Sequence, residues 1–179
     1  MKWIKGLKER SKSKKGASVL EFAFGLLTFV LLFAFTVDVV MIATKQNTVS
    51  QTANQVVRQI AIQGGVKPNA PKNYPGGNQA YMDSREMTIM MRERMNDTGI
   101  ENSDWSMKIV AFNPSGQPVK SQGLSNGTNI EVDYQDMFEF EITYEYNWII
   151  MGQLLPPMKE KITSVQKRSS VSEYKYFTR

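Results

Sequence analysis

Residues 14–43 read KKGASVLEFAFGLLTFVLLFAFTVDVVMIA. A basic stretch ends at Gly16, and a long apolar run starts directly after it. Within that run only Glu21 and Asp38 are charged, and the sixteen residues from Phe22 to Val37 carry no charge. A helix needs about 20 mostly apolar residues to cross a hydrocarbon core, so residues 17–43 predict a transmembrane helix. An ionised side chain inside such a run is costly. Glu21, five places past the glycine, therefore needs a reason. Asp38 lies about 30 Å further along a helix counted from Ala17, near the outer headgroups, and is expected to be an interface residue.

A secretory signal peptide is the rival reading of this run. Its apolar core is about 7–15 residues and ends at a small-x-small site. The run here is longer, and no clear Ala-x-Ala follows it. Residues 1–16 carry seven cations (Lys2, Lys5, Lys8, Arg10, Lys12, Lys14 and Lys15) against Glu9, a net of +6. The whole chain carries +5, so the remainder nets −1. The basic character belongs to a short arm and not to a domain face, so no nucleic-acid partner is expected. Cations flanking one end of a span place that end in the cytoplasm. The chain after about Thr44 is then outside.

The helix is expected to continue past the membrane. Val49, Ala53, Val56, Val57, Ile60 and Ala61 form one apolar stripe at helical spacing. Residues 26–63 contain neither glycine nor proline, and Gly64-Gly65 supplies the stop. One helix from about Ser18 to Gln63 would be about 70 Å long at 1.5 Å per residue. Its first half lies in lipid, and its second half offers a stripe to a domain.

Residues 64–82 are rich in Gly, Pro and Asn and read as a loop. A short helix is expected over 83–96, with Met87, Met90, Met91 and Met95 near one face as its core side. After Gly99 the period changes to two. Trp105, Met107, Ile109 and Ala111 form one alternating set, and Ile130, Val132 and Tyr134 form a second. The clearest strand alternates Phe138, Phe140, Ile142, Tyr144, Tyr146 and Trp148 with Glu139, Glu141, Thr143, Glu145 and Asn147, as a half-buried antiparallel strand does. Gly152–Pro157 turns the chain, and 159–171 is the basic return strand. A hairpin centred near Leu154 sets Glu141 opposite Lys167 and Thr143 opposite Val165. The expected organisation is a basic leader (1–16), a span (17–43), an amphipathic extension (44–63), a loop (64–82) and an extracytoplasmic α+β domain (83–179). The fold class is α+β: a long N-terminal helix packed on a small antiparallel sheet.

The chain has no cysteine and no histidine. That removes disulfides, thiolate nucleophiles, the usual zinc sites and both Ser-His-Asp and Cys-His catalysis. Gly64-Gly65 and Gly76-Gly77 lack the lysine and the strand-to-helix setting of a phosphate loop. The carboxylate pairs Glu139/Glu141 and Asp133/Asp136 fall on exposed strand faces or turns, where solubility explains them. No cofactor, no metal and no enzymatic activity are expected.

The junction is the remaining chemistry. Gly16, then Ala17-Ser18-Val19-Leu20, then Glu21-Phe22 at the head of a long apolar run resembles the prepilin-type leader of TadE-like pseudopilins from tight-adherence (Flp-type) systems. The resemblance is sharp over about residues 10–40. Type II and competence pseudopilins more often show Phe-Thr-Leu-x-Glu, from which this stretch departs. The resemblance implies cleavage after Gly16 by a membrane aspartyl peptidase, which exposes the amine of Ala17. It also implies assembly with other pilin or pseudopilin subunits through the helix, with Glu21 and Phe22 at its head. The alternatives are an uncleaved, single-pass anchored extracellular binding domain and a membrane-anchored enzyme.

Overall fold

A computed structural model describes residues 2–72 and 74–174, with side chains from Ala17 onward. The side chains of residues 1–16, the basic leader up to Gly16, lie outside the described residues. Helix α1 (Lys2–Gln63) is the first element. The chain divides into two compact units, Met1–Met41 with Trp148–Glu160, and Ile42–Asn147 with Lys161–Arg179. The architecture is α+β, an apolar N-terminal helix followed by a small antiparallel sheet domain.

The second unit is built on the apolar stripe of α1. Val49, Ala53, Val56, Ile60 and Ala61 are buried, as their spacing predicts. They share one core with the inner faces of a four-stranded antiparallel sheet, whose strand order is β3 (Pro118–Gly123), β2 (Trp105–Phe112), β5 (Met137–Tyr146) and β6 (Ile162–Val171). Phe138, Phe140, Ile142 and Tyr144 of β5 are fully buried, and the glutamates between them are only partly so. Helix α3 (Ser84–Asp97) adds Met87, Met91 and Met95 to the same core. The Asp83 carboxylate caps it by accepting from the Glu86 N–H at 2.8 Å. The methionines are packing residues, since flexible thioether chains fill the irregular gap between helix and sheet.

The end of α1 shows how closely the unit is tied. The last carbonyls of a helix have no partner within it. Here the Ile60 carbonyl accepts from Gly64 N–H at 2.9 Å, and the Ala61 carbonyl accepts from Glu173 N–H at 2.8 Å. The two glycines then do different jobs. Gly64, at φ 72°, reverses the chain. Gly65, at φ 133°, begins the two-residue strand β1 (Gly65–Val66), which pairs with β4 (Ile130–Glu131).

Four details differ from the sequence reading. Strand β3 has no alternating apolar signal because five of its six residues are exposed. It exists because its backbone pairs with β2 at the sheet edge. The stretch 64–82 contains β1 and the short helix α2 (Gly77–Ala80). Strand β4 stops at Glu131, although Val132 is buried, because residues 133–136 turn, and Tyr134 is exposed. Trp148 continues the alternation of β5 in sequence but falls in the other unit.

The β5–β6 register is the expected one, with Glu141 opposite Lys167 and Thr143 opposite Val165. Lys167 Nζ lies 2.8 Å from Glu141 and 3.1 Å from Glu139, and Lys161 Nζ lies 2.5 Å from Asp104. Hydrogen bonds from these lysines hold the Glu141 and Asp104 carboxyls below their usual range, and the same contacts raise both lysines. A depressed carboxylate adds stability above its unfolded pKa and loses it as pH falls through the folded value. A raised lysine adds stability below its unfolded pKa and loses it as pH rises through the folded value. The pairs therefore support a plateau across neutral pH that declines in acid and in strong alkali. All are solvent-screened, so the amplitude is small. Thermal melts of Lys167→Met in detergent are expected to sit slightly below the parent at neutral pH and to converge with it at both extremes. Coincident curves at every pH would show that the pair contributes nothing.

Candidate functional site

The candidate site is the apolar part of α1, with its two carboxylates. A segment from Ala17 onward is long and apolar enough to cross a membrane. Its side chains stand out from the protein: Phe22 is 72 % exposed, Phe29 66 % and Phe33 64 %. A surface of large apolar groups this extensive is stable only against lipid or other apolar helices. Two hydroxyls within it are internally satisfied. Thr28 and Thr36 donate to the carbonyls of Phe24 and Leu32, one turn back, at 2.9 and 2.8 Å.

Ala17, Glu21 and Phe22 lie at the head of this surface, and all three are exposed. Ala17 and Glu21 are four residues apart, so they share one side of the helix. Among the described residues nothing pairs with Glu21.

Asp38 has a role that its position in the sequence does not show. Its side chain is buried, 1 % exposed, and it is covered by its own chain. Both carboxylate oxygens accept from the Ile150 N–H, at 3.0 and 3.1 Å, and one also accepts from the Met151 N–H at 2.7 Å. These are the first N–H groups of the short helix α4 (Met151–Leu154), whose cap residue Ile150 offers no side-chain acceptor. Asp38 supplies the cap from 112 residues away. Beside it, the rings of Phe35 and Trp148 stack at 5.7 Å between centroids. The expectation of an interface residue missed this clamp, because sequence spacing does not show which loop returns to a span. One signal was present. Trp148–Met158 is apolar throughout except for Gln153, which is unusual for a connection between two strands.

Asp38→Ala would leave the buried Met151 N–H unpaired, at about 1–3 kcal/mol, and would free the part-buried Ile150 N–H as well. Hydrogen exchange across 148–158 is expected to accelerate markedly while the amides of β2 and β5 keep their protection. Unchanged exchange at Ile150 and Met151 would contradict the clamp.

Nothing among curated proteins or solved structures matches the chain. Residues 16–58, about a quarter of its length, match the family model described as TadE-like protein. From the junction through the apolar run and into the amphipathic half of α1 the chain is similar to the TadE-like family model, over a helix long and apolar enough to cross a membrane.

Proposed function

We propose that this protein is a prepilin-like minor subunit of a Tad/Flp-type pilus or secretion system, cleaved after Gly16 and assembled through its N-terminal helix. The observation that carries the reading is the exposed Glu21, five residues beyond Gly16 and without a partner among the described residues, at the head of an exposed apolar helix. The N-terminal arm stays in the cytoplasm and the sheet domain stands outside. A membrane aspartyl peptidase grips extended backbone at the interface, where a glycine passes and a branched side chain does not. Cleavage removes the basic arm and frees the amine of Ala17. In a bundle of such helices the Glu21 carboxylate of one copy meets the Ala17 amine of a neighbour. That pairing sets register between subunits, since a charge pair in a low-dielectric bundle tolerates little misalignment. The chemistry is done to this protein and between copies or partner subunits; it catalyses no reaction of its own.

Intact-mass spectrometry of the protein extracted from membranes of cells carrying the peptidase tests the reading. The expected N-terminus is Ala17, and Gly16→Leu is expected to leave the chain uncut. Retention of residues 1–16 in the parent protein would overturn the proposal in favour of an uncleaved, single-pass anchored binding domain.

A further inference from the structure

The segment between β5 and β6 has the makings of a second membrane contact. Trp148–Met158 carries no charge, and Gln153 is its single amide. It belongs to the same compact unit as the apolar part of α1. Phe35 and Asp38, its contacts on that helix, are 18 and 21 residues past Ala17. At 1.5 Å per residue that is about 27–32 Å along the helix. A hydrocarbon core about 30 Å thick ends at that level. The segment therefore meets the span at the boundary between acyl chains and headgroups.

Its surface and its backbone both suit that depth. Leu154 is 48 % exposed, Leu155 39 % and Ile149 38 %, and they belong to the same compact unit as the exposed Phe35 and Val39. Irregular backbone near lipid has to satisfy its N–H groups internally. Ile150 and Met151 donate to Asp38, Gln153 and Leu154 donate to the Ile150 carbonyl, Leu155 to Met151 and Met158 to Leu155. Pro156 and Pro157 have no N–H to satisfy. Trp148 at one end and the exposed Lys159 at the other are residue types that settle at the interface.

We propose that Trp148–Lys159 is an interfacial lipid anchor, inserted in the leaflet at the C-terminal end of the span and held at that depth by Asp38. Its occupant is lipid, because an uncharged segment with exposed leucines meets the apolar helix, through Phe35 and Asp38, at the depth where a hydrocarbon core ends. This goes beyond the subunit reading and does not require cleavage at Gly16.

The native chain has no cysteine, so single cysteines report cleanly. The full-length, uncut protein is placed in phosphatidylethanolamine–phosphatidylglycerol vesicles with an environment-sensitive fluorophore at Leu154→Cys or Leu155→Cys. Phe24→Cys, in the span, is the lipid reference. The expected result is a blue-shifted emission, quenched several-fold more by headgroup-proximal nitroxide lipid than by aqueous iodide. Adding Asp38→Ala is expected to reverse that preference at Leu155→Cys without changing Phe24→Cys. Full quenching by iodide would overturn the anchor. So would protection from both quenchers, which would show that protein covers the segment. An unchanged depth in the Asp38→Ala background would overturn the role of Asp38. Both failures leave the mass-spectrometric test of cleavage untouched.

Discussion

Glu21→Ala is expected to abolish incorporation of the chain into filaments while leaving membrane insertion and cleavage intact. Insertion depends on the apolar run, which the substitution makes more apolar. Cleavage depends on backbone access at Gly16. In the proposed filament, assembly is the step at which the carboxylate would act. Removing one member of a buried ion pair costs about 3–5 kcal/mol, because the partner charge is left uncompensated. At 1.4 kcal/mol per factor of ten, that is a loss of roughly 10²–10³ in association. Shear-released filaments from Glu21→Ala cells should lack the subunit, and the membrane fraction should contain it with Ala17 at its N-terminus. Glu21→Asp keeps the charge on a shorter arm and should retain partial incorporation. Normal incorporation of Glu21→Ala would remove Glu21 from the assembly contact.

Gly65→Ala is expected to destabilise the sheet domain by about 3 kcal/mol or more, from positive-φ strain together with overpacking. Its φ of 133° is a conformation that L side chains rarely adopt, and an added Cβ would stand 2.2 Å from the carbonyl oxygen of Ile130. That oxygen is backbone within the β1–β4 pairing, so it has little freedom to move. Gly127→Ala separates strain from collision. Its φ is 92°, but an added Cβ would meet nothing within 4 Å. It should cost only about 1–2 kcal/mol. Urea melts of the two variants measure the difference, and equal midpoints would contradict the close approach at Gly65.

Local physics made much of this chain legible. The span followed from sixteen uncharged residues beside a basic arm. The stripe from Val49 to Ala61 and the alternation from Phe138 to Tyr144 each bury the side the period predicts. Period alone decides which side of a helix or strand is apolar, and the β5–β6 register is the one a hairpin centred near Leu154 sets. The resemblance to TadE-like proteins was equally readable from the junction onward, since the matched stretch, residues 16–58, is a continuous piece of sequence.

What the period could not carry was long-range pairing. Strand β3 has no apolar face and exists through its backbone partner β2. Trp148 keeps the alternation of β5 yet stacks on Phe35, because alternation does not say where a strand stops. Gly64-Gly65 read as a single helix stop, and only the approach of Ile130 gives the second glycine its own necessity. Asp38 makes the point most plainly. The sequence by itself determined that a carboxylate stands at the far end of an apolar helix. Tertiary structure decided what that acid is for, because the N–H groups that justify its burial come from Ile150 and Met151, more than a hundred residues away.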